Sequence, residues 1–256
     1  MKRIEIASPS PVLNTPDFRF AFGGATGVDI PRNEKGHPHF FEFVALPGMV
    51  FSVVRQCSEF VYQVLHPSYP GPDLYIDIRF GKEGFIEKKR KLPSKAEMID
   101  RMAQLMGKPY VWGGNWSRGI LDLLSLYPPK GDLDEKTKTL WTLEGIDCSG
   151  LLYEASLGTT PRNTSQLLHF GNALKIKGFG ISQIASTLEP LDMIVYPGHV
   201  LFVLDRQHTI ESKSPYGMMR KNLLERLSEI VQERIAVDEW SEELDSGRYF
   251  MIRRIS

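Results

Sequence analysis

The chain has 256 residues, 42% of them apolar, so it can bury a real core as one large or two ordinary domains. Thirty-one basic and thirty-one acidic residues cancel, which argues against the broad basic surface that nucleic acid or anionic lipid requires, and no nucleic-acid partner is expected. No run approaches the length of a membrane span, and two isolated cysteines, Cys57 and Cys148, make neither a disulfide framework nor a zinc pattern.

The N-terminus, M-K-R-I-E-I-A-S-P-S-P, carries charge but no apolar core of the kind an export signal needs. A cytoplasmic location is expected, or release by a route that the sequence does not specify, and a reducing compartment suits a chain that keeps a thiol free. Residues 1–90 read as β-rich. Met49 to Val54 and Phe60 to Leu65 are β-branched and aromatic, joined by polar Arg55 to Glu59 as a hairpin, and Leu74 to Phe80 alternates in the same way. Gly23 to Pro38 is turn-rich and reads as a loop. Several short strands in 90 residues predict a small β-barrel-like domain, with Cys57 structural or neutral in its hairpin turn.

Glu87 to Lys91 is a basic run that reads as a solvated linker to a second domain over 91–256. Ser94 and Glu97 form a capping box before Met98, Ile99, Met102 and Leu105, so a helix starts there, and Gly107 stops it. Tyr110-Val111-Trp112-Gly113-Gly114 follows, its glycines permitting a tight bend. Residues 115–146 read as an insertion: Ile120 to Leu126 as a short helix, Pro128 to Lys138 as a polar loop, and Leu140 to Leu143 apolar again. Its expected role is a lid or a specificity wall.

Gly145 to Tyr153 reads G-I-D-C-S-G-L-L-Y. Asp147 is a good N-cap, and Leu151, Leu152 and Ala155 give the following helix one apolar face. Cys148 then lies in the first turn, where unpaired N–H groups and the helix dipole favour a thiolate. Further on come Thr160-Pro161-Arg162-Asn163-Thr164-Ser165-Gln166 and a β-meander of Leu191 to Tyr196, His199 to Leu204 and Thr209 to Ser212, with turns at Pro197-Gly198 and Asp205-Arg206. Arg220 to Ile235 has the spacing of an amphipathic helix and reads as packing. Asp238 to Asp245 is acidic surface, and Arg248 to Ile255 alternates as a closing strand.

Four stretches in order, Tyr110 to Gly114, Asp147-Cys148-Ser149-Gly150, Pro161-Arg162 and Gly198-His199-Val200, resemble those of the NlpC/P60 cysteine peptidases over about residues 94–256. The resemblance implies an α+β chain: a papain-like core of helices packed on an antiparallel sheet, preceded by a small β-barrel-like domain of possible SH3-like type. It implies Cys148 as nucleophile and His199 as general base. A polar residue about a dozen positions beyond the base orients it, which indicates Glu211, with His208 as rival. Substrate contacts implied in the same way are Tyr110, Trp112, Asp147, Ser149, Asn163 and Thr164, and Arg162 reads as a structural fork tying the loop.

Two departures from the family pattern bear on this. Asn163 stands where relatives that act on short wall peptides carry an acid that binds a free N-terminal amine, and an amide lacks the charge that makes such a bond strong. Leu191 stands where the family's L-x-P-G-D-L-V segment has glycine. The implied activity is hydrolysis of peptidoglycan stem peptides or muropeptides next to γ-D-glutamyl, as in γ-D-glutamyl-diaminopimelate, with no metal or organic cofactor. An amidase, deamidase or acyltransferase on the same fold, or a module that only binds wall peptides, are the alternatives.

Overall fold

The computed structural model describes residues 2–34, 36–84, 90–244 and 247–255. Glu87 to Lys89 of the basic run and Asp245 of the acidic stretch lie outside them. The chain divides into two compact units, Met1–Lys91 with Pro109–Asp147, and Leu92–Lys108 with Cys148–Ser256. No helix among the described residues is long and apolar enough to cross a membrane.

In the first unit seven strands, β1 (Arg3–Ile6), β2 (Ser10–Leu13), β3 (Phe41–Ala45), β4 (Val50–Gln56), β5 (Val61–Leu65), β6 (Leu74–Asp77) and β7 (Gly81–Glu83), form one antiparallel sheet. Their order is β3-β2-β6-β5-β4-β1-β7, an open half-barrel. The expected hairpin is β4–β5, with a register shift between Val53 and Arg55. The strand expected to run to Phe80 ends at Asp77, because the Asp77 carboxylate accepts from the Arg79 N–H and starts a 3-10 turn over Ile78–Phe80. The loop expected from Gly23 is preceded by a short helix, Phe18–Ala21, capped by Asp17.

Residues 109–147, assigned by sequence to the second domain with 115–146 as its insertion, belong instead to the first unit. Their apolar side chains are spent on its core: Ile120, Leu123, Tyr127, Leu140 and Trp141 pack with Phe18, Phe22 and Phe41. Burial of this many large side chains is worth about 1.5–3 kcal/mol for each that is fully enclosed, which fixes the segment to the sheet. The polar loop read over 128–138 gives way at Glu135 to a helix, Glu135–Trp141, whose first turn is capped by Asp134. Two short strands, β8 (Asn115–Trp116) and β9 (Gly145–Ile146), pair with each other. The Asn115 amide donates to the Val44 carbonyl at 2.8 Å and accepts from the Val44 N–H at 2.9 Å, doing for β3 what a peptide group of another strand would do. Gly113 is left-handed at φ +76°, and a Cβ on Gly114 would stand 2.5 Å from the Gly145 carbonyl, so the bend tolerates no side chain there. Arg90, at the end of the basic run, donates to the carbonyls of Leu46 and Pro47, so it is a tether where a solvated linker was expected.

In the second unit the strands β10 (Asn172–Ala173), β11 (Met193–Tyr196), β12 (His199–Val203), β13 (His208–Lys213), β14 (Gly217–Asn222) and β16 (Tyr249–Arg254) run in the order β10-β16-β11-β12-β13-β14. All these pairs are antiparallel, and β15 (Ile235–Ala236) adds to β16 in parallel. The closing strand expected near the C-terminus is therefore central, with neighbours on both sides. The helix Lys95–Gln104 carries the expected capping box and packs on the helix Cys148–Ala155, which lies against β12 and β13. The helix expected from Arg220 begins at Leu223, where the Asn222 side chain accepts from the N–H groups of Leu224 and Glu225; the residues before it form β14. A helix at Ile181–Thr187 was not expected from the sequence. Asp238 in the acidic stretch caps the N–H groups of Ile176 and Lys177 at 2.7 Å each.

Leu191, standing in the glycine position, keeps a left-handed backbone at φ 73° and is 1% exposed. A side chain in that conformation costs roughly 1–2 kcal/mol, here offset by burial. Glycine usually destabilises relative to alanine, but at this position the order is expected to reverse. Leu191→Gly should be more stable than Leu191→Ala by about 0.5–1 kcal/mol in urea denaturation, and alanine proving the more stable would contradict the strain.

Candidate active site

The nucleophile candidate is built by one helix start. Cys148 opens the helix Cys148–Ala155, is 7% exposed, and has its Sγ 3.7 Å from Thr164 Oγ1 and 4.0 Å from the Gly198 carbonyl. Thr164 opens a short helix, Thr164–Leu167, and Asn163 is its N-cap residue, whose backbone carbonyl accepts from Gln166 and Leu167. Ser149 accepts from Arg162 Nη1 at 2.9 Å, and the Arg162 side chain is buried, so the fork ties the Pro161 loop to the start of the nucleophile helix.

His199 is the first residue of β12, directly after the Pro197-Gly198 turn, where Gly198 is left-handed at φ +85°. Pairing of Phe202 with Ile210 and of Val203 with Thr209 sets the register of β12 on β13. Odd-numbered residues of the two strands then share a face, so Glu211 stands on the side of His199. Its Oε2 lies 2.6 Å from His199 Nε2. The rival, His208, pairs instead with the Asp205 carboxylate, at 2.9 Å and 3.0 Å.

Glu211 is 1% exposed and holds a second cation. Arg226 Nε donates to Oε1 at 2.7 Å and Nη2 to Oε2 at 3.0 Å, a bidentate pair, while Nη1 reaches Glu229 at 2.9 Å. Glu229 in turn accepts from Lys221 at 2.9 Å. Sequence reading missed Arg226 because the helix Leu223–Glu233 was read as packing alone. The available signal was a charge on the apolar face: Leu223, Arg226, Leu227 and Ile230 share the i, i+3, i+4, i+7 stripe, and all four are buried.

The electrostatics follow from this packing. Burial pushes the His199 imidazole down, but hydrogen bonding to Cys148 and to Glu211 outweighs it and raises the group to about 9. Burial pushes the Glu211 carboxyl up, and the bonds from His199 and Arg226 outweigh that, bringing it to about 2. With Nε2 engaged by the carboxylate, Nδ1 is the nitrogen left for the thiol. A groove of about 500 Å³ opens beside His199, with Tyr196, Lys213 and Arg234 among its walls.

The raised imidazole stabilises the fold fully below its ordinary 6.5 and loses that contribution as pH rises through about 9. The depressed carboxyl contributes fully above its ordinary 4.5 and loses that as pH falls through about 2. The difference in unfolding free energy between wild type and Glu211→Gln is therefore expected to be largest between pH 4.5 and 6.5 and to shrink on both sides. Urea denaturation across pH 3–9 reads it, and a difference that keeps growing toward pH 9 would contradict the ion pair.

The structure brings together, within the second unit, Cys148, Thr164, His199 and Glu211. Ser149 and Asn163 are in the same unit. Tyr110, Trp112 and Asp147 fall in the first. There the Asp147 carboxylate accepts from the Gly113 N–H at 3.0 Å, and His37 stands edge-on to Trp112 with ring centroids 4.6 Å apart. Trp112 is 44% exposed and Tyr110 partly buried, so neither is an ordinary core aromatic.

No protein-family model and no curated protein matches the chain. Solved structures do. The solved structures it resembles include NlpC/P60 proteins. An NlpC/P60 family protein from Bacillus cereus aligns at 15% identity and a TM-score of 0.38 over 99% of this chain, which spans 63% of that one. The peptidoglycan hydrolase RipB from Mycobacterium tuberculosis aligns at 18% identity and a TM-score of 0.38, over 67% of this chain and 74% of its own. RipD from the same organism, described as a non-catalytic NlpC/P60 domain protein adapted to peptidoglycan binding, aligns at 16% and 0.37, over 63% and 97%. These NlpC/P60 likenesses are of fold and decide no residue's role.

Proposed function

We propose that the protein is a cysteine peptidase that hydrolyses peptide bonds in peptidoglycan-derived peptides through an acyl-enzyme on Cys148. The observation that carries this reading is the buried Glu211 carboxylate on His199 Nε2, with Cys148 at the start of a helix and near enough to His199 to help raise the imidazole. In it His199 takes the thiol proton at Nδ1, and the thiolate attacks the amide carbonyl. The Cys148 N–H, at the helix start, donates to the developing oxyanion. His199 then returns the proton to the leaving amine, and water activated by the same imidazole releases the acid. Glu211 holds the ring in the required tautomer and supports its charge.

The favoured bond is the one next to γ-D-glutamyl, with Ser149, Asn163 and Thr164 of the second unit as proposed substrate contacts. Because Asn163 offers an ammonium only a neutral acceptor, peptides with blocked N-termini are expected to compete well with free ones. Mass spectrometry of soluble muropeptides with free and with acetylated N-termini, incubated with wild type and with Cys148→Ala, tests the reading. It predicts cleavage of both kinds by wild type alone. Intact muropeptides throughout would overturn the peptidase reading and favour acyl transfer to another acceptor, or binding without turnover.

A further inference from the structure

The Glu211 carboxylate has two cationic partners, and the second is a guanidinium whose side chain is itself buried. Burying an arginine costs several kcal/mol unless its donors are matched, and here three of them are: two on Glu211 and one on Glu229. The alternating line Lys221, Glu229, Arg226, Glu211, His199 runs from half-exposed groups to the imidazole.

We propose that Arg226 is a positioning residue: its fork holds both oxygens of Glu211, so that Oε2 stays on His199 Nε2. The proposal rests on the active-site reading above but concerns the orientation of the imidazole, which can be observed without any substrate. A carboxylate on a flexible stem has two oxygens and a free torsion, so its bond to a histidine alone leaves it able to swing. Nε on Oε1 and Nη2 on Oε2 remove that freedom, because the planar fork matches the carboxylate plane. The positive charge also keeps Glu211 from taking the proton it supports on His199, so the proton remains where a leaving amine can receive it. Arg226 touches neither the thiol nor a reacting atom and acts through Glu211.

The groups that face Glu211 are His199 on β12, Arg226 and Glu229 on the Leu223–Glu233 helix, and Tyr196 on β11, with Lys221 on β14 reaching Glu229. Only Arg226 and His199 bond to it among the described residues. Loss of the arginine therefore removes one of two cations, and a neighbouring opposite charge moves a carboxyl by about 1–3 pH units.

Carbon-13 NMR of the Glu211 carboxyl and the His199 ring in the full chain, titrated from pH 2 to 10, tests this; Glu211→Gln assigns the carboxyl signal. In Arg226→Met the Glu211 midpoint is expected to rise by about one pH unit or more, and in Arg226→Lys to lie nearer wild type, since lysine keeps the charge without the fork. Cleavage of a muropeptide that wild type processes should fall in both, with kcat rather than KM carrying the loss. Glu211 and His199 midpoints unchanged in Arg226→Met, with only stability reduced, would reduce Arg226 to a structural residue and overturn the proposal. Should Arg226→Met not fold, Arg226→Gln against Arg226→Lys makes the same comparison of a neutral donor with a charge. Because the titration uses no substrate, a muropeptide left intact by wild type would refute the function while leaving the positioning result readable.

Discussion

His199→Ala is expected to lower kcat on a cleaved muropeptide by about 10⁴-fold or more, with KM changed little. The substitution removes both proton transfers of the proposed route: acceptance from the Cys148 thiol and delivery to the leaving amine. Binding energy that does not depend on the imidazole remains, which is why KM is spared. The fold should survive, because Glu211 keeps both bonds from Arg226 when its other partner is lost. Circular dichroism with steady-state kinetics checks both halves. A loss of less than tenfold in a folded variant would mean that His199 is not the base.

Glu211→Gln is expected to cost about 10²–10⁴-fold in kcat/KM, and its pH signature is as informative as its size. A glutamine has one oxygen where Arg226 and His199 use two, so either the guanidinium or the imidazole faces an amide NH₂. Burial of His199 persists while one of its two supports, the Glu211 carboxylate, is gone. The imidazole therefore loses its proton at lower pH, and the alkaline limb of kcat/KM moves down from near 9 toward neutrality. His208→Ala is the internal comparison: with its ring on Asp205 it should change the rate less than about threefold. An unchanged limb in Glu211→Gln together with a large loss in His208→Ala would exchange the two roles.

Much of the second unit could be read from residues because its chemistry is local. Cys148 begins a buried, largely apolar helix, and His199 follows a Pro-Gly turn at a strand start, so each declares its place within a few neighbours. Glu211 required one further step, since a hairpin converts a count of residues into a face: the twelve-residue separation becomes a shared side only because Phe202 meets Ile210. Arg226 lay outside that logic. It reaches Glu211 from another element, fifteen residues on, and nothing in a strand count locates a helix packed over the sheet.

The first unit was harder for the opposite reason. Its strands alternate visibly, but residues 109–147 look like part of whatever precedes Cys148, and only tertiary burial of Trp141 and Leu123 beside Phe18 and Phe41 reveals where they belong. Leu191 is a different case: it stands in the glycine position, yet the left-handed turn is kept and the buried apolar side chain offsets its cost.

The central claim is that Cys148 and His199 form one reactive pair. The rate at which iodoacetamide alkylates Cys148 in the Cys57→Ser chain, followed by peptide mass spectrometry from pH 5 to 10 with and without His199→Ala, tests it most directly. The account predicts alkylation that persists to about pH 6 with His199 present and falls about tenfold there without it, as expected of a thiolate held by an imidazolium. A rate that climbs only near pH 8.5, as for an unassisted thiol, and is the same in both chains would contradict it.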